Sequence, residues 1–187
     1  MTGYEQADLT AALDALSDNS LAATEFELAR AVVIAASLAN RTVATAESLT
    51  AGLIAATLAT VPGASAVLRG GIVAYATDLK ASLLAVPGSL LERGGPIQAP
   101  VAEAMARGAR AALAADFALA CTGVAGPDEQ DGHPVGEVHV AVAGPGSVRT
   151  HSLTLEGDRD GIRHSTVLVV LGMLLDALLP LVDMPSN

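Results

Sequence analysis

The sequence of 187 residues is poor in cysteine and in basic side chains: it has one cysteine, and ten Lys and Arg residues against twenty Asp and Glu residues. A single thiol excludes a framework of disulfide bonds. The N-terminal segment is acidic, which argues against a secretory signal peptide, so we expect a cytoplasmic protein. The net charge of −10 and the lack of clustered Lys and Arg argue against a nucleic-acid partner, so none is expected. The four histidines lack HxxxH or HExxH spacing, so the sequence predicts no metal site, and no cofactor is expected.

Long hydrophobic runs are also missing, although 51% of the residues are apolar. The uncharged segment 48–68 is interrupted by Pro62 and Gly63, which are typical of a turn. The apolar segment 167–179 is too short to span a bilayer and contains Asp176. We interpret both segments as buried elements of a soluble protein, with no membrane partner.

Much of the negative charge lies near the N-terminus, where six acidic residues precede the first basic residue, Arg30. We therefore divide the chain into an acidic N-terminal extension, residues 1–22, and a single domain, residues 23–182. Leu9, Leu13 and Leu16 have helical spacing, which predicts a short amphipathic helix in the extension. Two interpretations are open: a frayed, solvated tail, which we favour slightly, and a helix that docks on a neighbouring subunit.

The remaining chain alternates between the two kinds of regular structure. Predicted helices cover 24–39, 48–60, 78–85, a segment from about Pro100 to 115, and 158–179. Predicted strands cover 42–46, 68–76 and 117–121, followed by a β-hairpin made of 135–143 and 147–155. This alternation predicts an α/β fold: a single three-layer α/β/α domain with a mixed sheet that includes a C-terminal β-hairpin.

Ser48 lies where a predicted strand turns into a helix, within the segment AESLTAG at 46–52. Two roles are open for it. As an N-cap, it would satisfy an unpaired N–H group of the helix and contribute about 1 kcal/mol. As a nucleophile, its oxyanion would be stabilised by the same N–H groups. This segment alone favours the cap.

Lys80 is the only lysine, since the other nine basic residues are arginine. Arginine stays protonated in proteins, whereas a buried lysine loses its proton more readily, so a general base is a role that arginine cannot fill. The alternative is a lysine kept by chance on a solvated helix. Tyr75 lies five residues upstream at the end of a predicted strand, so both side chains can reach the same rim as Ser48. Serine with lysine as base is a known form of hydrolase chemistry.

Two further segments are candidates for binding an anion. The turn after the predicted strand 117–121 contains Gly123 and Gly126, whose backbone N–H groups can approach a ligand, although a plain structural turn is equally consistent. Arg159 and Arg163 share one helix face and could grip a phosphate, or simply pair with neighbouring carboxylates. Cys121 is expected to be a small buried residue rather than a nucleophile.

Taken together, four segments resemble the C-terminal domain of the CinA (competence/damage-inducible) family, which includes stand-alone nicotinamide mononucleotide deamidases. The segments are TVATAESLTAG at 42–52, GGIVAYATDLKASLL at 70–84, CTGVAGPDEQDGHPVGEVHVAV at 121–142 and GDRDGIR at 157–163. They occur in the family's order, and the resemblance covers about 24–180. The chain departs from the common AESCTGG pattern at Leu49 and Ala51, while Ser48 and Gly52 are retained.

The resemblance implies an amidohydrolase that converts nicotinamide mononucleotide to nicotinate mononucleotide and ammonia, without a cofactor. Ser48 would be the nucleophile and Lys80 the base, with Tyr75 assisting. The N–H groups of the turn 49–52 would hold the oxyanion. The implied substrate-binding residues are Thr50, Ala51, Gly52, Thr122, Gly123 and Gly126, together with Arg159 and Arg163 near the phosphate or a subunit contact.

Two other functions remain open at this stage. One is a catalytically silent nucleotide-binding or regulatory domain that uses the same pocket. The other is a Ser/Lys amidase for an amide that is not a nucleotide. The resemblance also implies a homodimer or a higher homo-oligomer, whose only other partner is the small nucleotide substrate.

Overall fold

A computed structural model describes residues 3–16 and 21–182 of the chain. Within these residues, helices and strands alternate along most of the chain. The helices are α1 (Gln6–Ala15), α2 (Leu21–Leu38), α3 (Leu53–Ala59), α4 (Thr77–Leu84), α5 (Gly88–Gly94), α6 (Ala99–Ala112) and α7 (Arg159–Leu178). The strands are β1 (Val43–Glu47), β2 (Leu68–Val73), β3 (Phe117–Gly123), β4 (Glu137–Gly144) and β5 (Ser147–Thr154).

Most predicted elements match the observed ones to within a few residues, but three differ in ways that affect the site. The predicted helix 48–60 begins only at Leu53, because residues 48–52 form turns. The predicted strand 68–76 ends at Val73, so Tyr75 lies in the connection to α4. Helix α5 was not predicted at all.

The five strands form one sheet in the order β2-β1-β3-β4-β5. Strand β1 pairs in parallel with both β2 and β3, whereas β4 and β5 are antiparallel to their neighbours. The sheet is therefore mixed and ends in a hairpin, which confirms the prediction of a mixed sheet with a C-terminal β-hairpin. The register brings Glu47 at the end of β1 opposite Cys121 of β3.

The two faces of the sheet carry side chains of different size. The face beneath α2 and α7 is built mainly of large apolar side chains: Val43, Phe117, Leu119, Val138, Val140 and Val142. The opposite face, beneath α6, is built of alanine: Ala44, Ala46, Ala118, Ala120, Ala141 and Ala143. Because alanine leaves little bulk above the sheet, α6 can pack close to its strands. Helices cover both faces, so the three-layer α/β/α architecture is confirmed.

Helix α1 packs against α2 of the same chain. Its Leu9 and Ala12 are fully buried and belong to the core on the α7 side of the sheet. The Tyr4 hydroxyl donates a hydrogen bond to the carbonyl of Pro62, which ties the start of this segment to the body of the domain. The interpretation of residues 6–15 as a frayed, solvated tail is therefore wrong, because burial of this apolar stripe stabilises the helix.

Helix α7 and the turn after it, Arg159–Leu181, are long and apolar enough to cross a membrane by length and composition alone. However, nine side chains of α7 are buried within the domain, where the helix packs against β3, β4 and α2. The packing is that of a core helix in a soluble globular domain, which agrees with the expectation for this segment.

The order of the strands positions the site. From β1 the chain crosses through α3 to β2 at one side, and then returns through α4, α5 and α6 to β3 at the other side. The carboxyl ends of β1 and β3 are therefore neighbours at the point where the winding reverses. In open α/β sheets, ligands bind in the crevice at this position.

Candidate active site

A cleft of ≈ 90 Å³ opens at the carboxyl ends of β1 and β3. Its walls come from the turn after β1, the connection between β2 and α4, the loop after β3 and the start of α7. Seven of the eleven predicted site residues line it: Ser48, Tyr75, Lys80, Thr122, Gly123, Gly126 and Arg159. The fold thus brings together side chains from four separate segments of the sequence.

Lys80 reaches Ser48 from the first half of α4. Its Nζ lies 3.0 Å from Ser48 Oγ, 2.8 Å from the carbonyl oxygen of Ala74 and 3.3 Å from that of Tyr75. In its neutral form the amine has two N–H groups and one lone pair. If the two carbonyls accept the N–H groups, the lone pair faces the Ser48 hydroxyl, as a general base requires.

Lys80 is only 1% exposed, which makes it one of the largest fully buried side chains of the described residues. Burial lowers the pKa of Lys80 below its ordinary value of 10.5, because the charged ammonium loses hydration, while the nearby Cys121 side chain raises this pKa to a lesser degree. Burial therefore increases the fraction of neutral amine near neutral pH. The alternative of a solvated surface lysine is wrong.

Ser48 lies in the turn between β1 and α3 rather than at the helix N-cap, which is Gly52. Its N–H donates to the carbonyl of Cys121 at 3.1 Å, so the pairing of β1 with β3 extends into the turn. Its own carbonyl accepts the N–H of Ala51 at 3.1 Å, and Ala51 has a positive φ of 52°. The capping role for Ser48 is therefore wrong, because the turn leaves its hydroxyl facing the cleft and Lys80.

A model of the CinA C-terminal domain matches residues 25–178 of this chain. The chain belongs to the CinA C-terminal domain family. The resemblance noted in the sequence is thereby confirmed.

Relatives with the same name support this membership. A CinA-like protein of Frankia casuarinae is 49% identical over 135 residues, which cover 72% of this chain and 31% of that protein. A CinA-like protein of Anaeromyxobacter sp. is 44% identical over 153 residues, covering 81% of this chain and 37% of that protein. The chain thus spans about a third of the length of these CinA relatives.

Solved structures of the CinA family share the fold. The competence/damage inducible protein CihA from Agrobacterium tumefaciens has a TM-score of 0.79 and 38% identity, covering 81% of this chain and 94% of that chain. The competence or damage-inducible protein from Enterobacter asburiae has a TM-score of 0.81 and 26% identity, covering 86% of this chain and 99% of that chain.

Glu47 is a site residue of this CinA-family domain that sequence reasoning missed. It is fully buried at the end of β1, directly before Ser48. Its carboxylate accepts hydrogen bonds from the N–H groups of Gly52, Ile54 and Ala55. The available signal was a charged residue at the end of a short strand whose other residues are uncharged and mostly apolar, which is rare unless the charge is fully hydrogen-bonded.

The bonds to Glu47 change the expected oxyanion site. The N–H of Gly52 donates to Glu47, and that of Ala51 donates to the Ser48 carbonyl, so neither is free for a ligand. Within the part of the chain that the structure describes, no acceptor lies within hydrogen-bond reach of the N–H groups of Leu49, Ala125 and Gly126, all of which line the cleft. These three groups, rather than the whole turn 49–52, are available to a ligand.

Thr50, Ala51 and Gly52 do not line the cleft. Thr50 is fully buried behind Ser48, and its hydroxyl donates to Glu47 at 2.8 Å and lies 3.0 Å from Cys121 Sγ. Burial raises the pKa of the Cys121 thiol to about 11, with the neighbouring Glu47 carboxylate adding to this effect. Cys121 is therefore a buried neutral thiol, as expected.

Among the described residues, the phenol of Tyr75 is hydrogen-bonded to Arg159 and to neither Ser48 nor Lys80. Its oxygen accepts a hydrogen bond from Arg159 at 2.9 Å, and the same guanidinium donates to the carbonyl of Gly126. The contact between Tyr75 and Lys80 is made by the Tyr75 backbone carbonyl. Tyr75 and Arg159 thus connect two walls of the cleft.

Arg163 does not enter the cleft, although it lies one turn after Arg159. It donates to the carbonyl of Thr50 at 2.9 Å and pairs with Asp160 at 3.5 Å. Thr122 lines the cleft, and its hydroxyl donates to the carbonyl of Pro96 at 2.8 Å. Within residues 3–16 and 21–182, no group of three or more His, Cys, Asp or Glu side chains is arranged to hold a metal ion.

Proposed function

We propose that this domain hydrolyses the carboxamide of nicotinamide mononucleotide, giving nicotinate mononucleotide and ammonia. Ser48 is the nucleophile and Lys80 is the general base. The observation that carries this proposal is the 3.0 Å separation of Lys80 Nζ and Ser48 Oγ inside a cleft, with the amine buried and its pKa lowered. A buried lysine beside a serine hydroxyl is an arrangement that activates a nucleophile.

In the first step, the Ser48 oxygen attacks the carboxamide carbon while its proton passes to neutral Lys80. The carbonyls of Ala74 and Tyr75 hold the lysine so that its lone pair faces the hydroxyl. The negative charge that forms on the carboxamide oxygen is stabilised by N–H groups of the cleft, where Leu49 and Gly126 offer free donors. One such donor typically contributes about 3 kcal/mol to transition-state stabilisation.

In the second step, the protonated Lys80 returns its proton to the leaving nitrogen, and the carbon–nitrogen bond breaks to release ammonia. This leaves an acyl ester on Ser48 and a neutral lysine. Water then attacks the ester, with Lys80 accepting its proton, and nicotinate mononucleotide departs as the serine is restored. Each proton taken by Lys80 is returned within the same half-reaction.

Arg159 is the cation of the cleft that we assign to the phosphate of the nucleotide. It is the first residue of α7 and lines the cleft beside Gly126. Thr122, Gly123 and Gly126 would border the nucleotide. Arg163 is not assigned to the phosphate, because its guanidinium contacts the backbone of Thr50 outside the cleft.

The test is ammonia release from nicotinamide mononucleotide by the wild-type protein, beside Ser48→Ala and Lys80→Arg. We expect steady release by the wild type and almost none by either variant, although both remain folded. An arginine keeps the positive charge but cannot act as the base. Full activity in Lys80→Arg would remove the lysine from its assigned role.

A second candidate is a domain that binds the nucleotide without turning it over. One observation favours it: as an ammonium, Lys80 has three N–H groups, and Ser48, Ala74 and Tyr75 supply three acceptors. Saturable binding without ammonia release would identify this function. An amidase for a non-nucleotide amide is distinguished by turnover that does not change when the phosphate of the substrate is removed.

We also propose that the domain acts in the cytoplasm as a homodimer or a higher homo-oligomer. The single thiol supports the location. Sedimentation of the purified protein tests the assembly, since a species with the mass of one chain at micromolar concentration would contradict it.

A further inference from the structure

Glu47 is a fully buried carboxylate that makes no ion pair with any described residue. Five hydrogen bonds satisfy it instead. Oε1 accepts from the Thr45 hydroxyl and the Ala55 N–H, both at 2.9 Å. Oε2 accepts from the Thr50 hydroxyl at 2.8 Å, from the Gly52 N–H at 2.9 Å and from the Ile54 N–H at 3.0 Å. A buried charge with this many donors is held in one orientation.

The bonds connect the two ends of the turn that carries the nucleophile. Glu47 belongs to β1, whereas three of its donors are N–H groups at the start of α3. These groups have no partner within the helix, and the helix N-terminus favours a negative charge. The N-cap residue, Gly52, has no side chain that could accept these N–H groups. The Glu47 carboxylate, at the end of β1, caps the helix in its place.

The backbone of Glu47 also contacts the segment that holds the base. Its carbonyl accepts the N–H of Ala74 at 2.9 Å, and the carbonyl of Ala74 in turn accepts from Lys80 Nζ at 2.8 Å. One residue thus joins the turn of Ser48 to the connection that orients Lys80. A shift of Glu47 would therefore be transmitted to both segments that carry the reactive atoms.

We infer that Glu47 is a positioning residue for Ser48, an inference that rests on the proposed role of Ser48 as nucleophile. Its carboxylate holds the turn 48–52 so that Ser48 Oγ stays 3.0 Å from Lys80 Nζ. Glu47 does not line the cleft, so it acts through Ser48 and has no contact with a substrate.

An amide cannot replace this carboxylate without loss of a bond. If the NH₂ of glutamine takes the position of Oε1, the Ala55 N–H loses its acceptor. If it takes the position of Oε2, the N–H groups of Gly52 and Ile54 both lose theirs. The threonine hydroxyls can rotate to accept from the amide, but backbone N–H groups cannot. Glu47→Gln must therefore displace the start of α3 and the turn before it.

The experiment compares Glu47→Gln with wild type and with Glu103→Gln, a matched change at an exposed residue of α6 that pairs with Arg107. We expect Glu47→Gln to lower kcat for ammonia release by about 10- to 100-fold, since small misplacements of reacting groups cost this much. KM should change much less than kcat, because the residues assigned to the nucleotide, from the loop after β3 and from α7, make no bond to the Glu47 carboxylate. Glu103→Gln behaves as wild type.

The pH profile separates positioning from a direct effect of charge. If Glu47 only positions Ser48, the rising limb of kcat against pH keeps its midpoint in Glu47→Gln while its plateau falls. A limb displaced to lower pH would overturn the inference, because it would mean that the Glu47 charge acts on Lys80.

A second readout is independent of the natural substrate. The rate at which a fluorophosphonate labels Ser48 reports on the nucleophile alone, with Ser48→Ala as the blank. Slower labelling in Glu47→Gln supports the inference even if the wild type releases no ammonia, in which case only the proposed function fails. Labelling at the wild-type rate overturns the inference.

A milder variant keeps the test decisive if Glu47→Gln does not fold. Thr45→Val removes one donor to Oε1 at nearly constant volume, and Thr45 lies two residues before Glu47, away from the cleft. We expect a smaller fall in labelling rate and kcat, of several fold, with KM unchanged. Unchanged values of both in a folded Thr45→Val protein would contradict the assignment.

Discussion

Replacing Lys80 with methionine removes the amine and keeps an unbranched side chain of similar length. The wild-type Nζ makes three polar contacts, at 3.0 Å to Ser48 Oγ, 2.8 Å to Ala74 O and 3.3 Å to Tyr75 O. A thioether cannot donate to any of these oxygens or accept a proton from serine. The change therefore tests the base while methionine fills most of the buried space that the lysine side chain occupies.

The expected effect on catalysis is large and the expected effect on stability is small. General base catalysis contributes about 10²- to 10⁴-fold, so we expect kcat to fall by about 1,000-fold, equivalent to about 4 kcal/mol. Two carbonyls lose a donor, at about 1–3 kcal/mol each, but the desolvation of a buried amine is removed, and these terms oppose each other. The net change in the free energy of unfolding should stay within about 2 kcal/mol.

Ammonia release from nicotinamide mononucleotide measures kcat and KM, and denaturant unfolding measures stability in the same buffer. We expect KM to change little, because methionine keeps an unbranched side chain of similar length at this position and the other lining residues are unchanged. A folded Lys80→Met protein that retains kcat within about tenfold of the wild type would refute the reasoning, because loss of a general base should lower kcat by at least about 100-fold.

Other consequences concern stability. The pKa of Lys80 is lowered from 10.5 in the folded protein, so at pH values between its folded pKa and 10.5 the unfolded chain binds more protons than the folded one. The wild type should therefore gain stability relative to Lys80→Met as the pH rises through this range, which unfolding measured from pH 7 upwards checks. The same pH dependence of the free energy of unfolding in both proteins would contradict this expectation. Leu9→Ala should lower the free energy of unfolding by about 2–4 kcal/mol, because Leu9 is the fully buried leucine of α1, which packs against α2. The half-buried Leu13→Ala serves as a milder control. Gly108→Ala should destabilise by about 1–3 kcal/mol, because the added Cβ would lie 1.9 Å from the carbonyl oxygen of Leu84. Gly172→Ala in α7, where nothing lies within 4 Å, should instead stabilise slightly, and equal effects of the two substitutions would refute this account of the α4–α6 contact.

The sheet and its hairpin were predictable because their signals are local. Strand β3 begins as FALAC, with alternating large and small apolar residues, and β4 and β5 flank a turn made of Gly144, Pro145 and Gly146. Such patterns are decided within a few residues. Lys80 was predicted as the base from a chemical argument, because it is the only lysine of the sequence. Its contact with Ser48 joins residues that are 32 positions apart, and local patterns do not predict such a contact.

The start of α3 was predicted wrongly because the residue that ends the strand also caps the helix. Small residues from Ser48 onwards look like a first helical turn, but the Glu47 carboxylate accepts the N–H groups from Gly52 onwards and leaves the turn 48–52 outside the helix. Hydrophobic periodicity carries no information about such a bond.

Tertiary contacts account for the other differences. The phenol of Tyr75 bonds to Arg159, which is 84 residues away, and Arg163 reaches Thr50 across 113 residues. The docking of α1 depends on an apolar surface of α2 that exists only after folding. The residues around each of these partners contain no local pattern that predicts the contact.

The most direct test of the central claim is the titration of Lys80 itself. Because the chain contains one lysine, protein labelled with [¹³Cε]lysine gives a single lysine resonance, whose chemical shift follows the protonation of this amine. We predict a titration midpoint clearly below 10.5 in the folded protein, because burial opposes the charged form. A midpoint at or above 10.5, with the protein folded throughout, would contradict the assignment of Lys80 as the base.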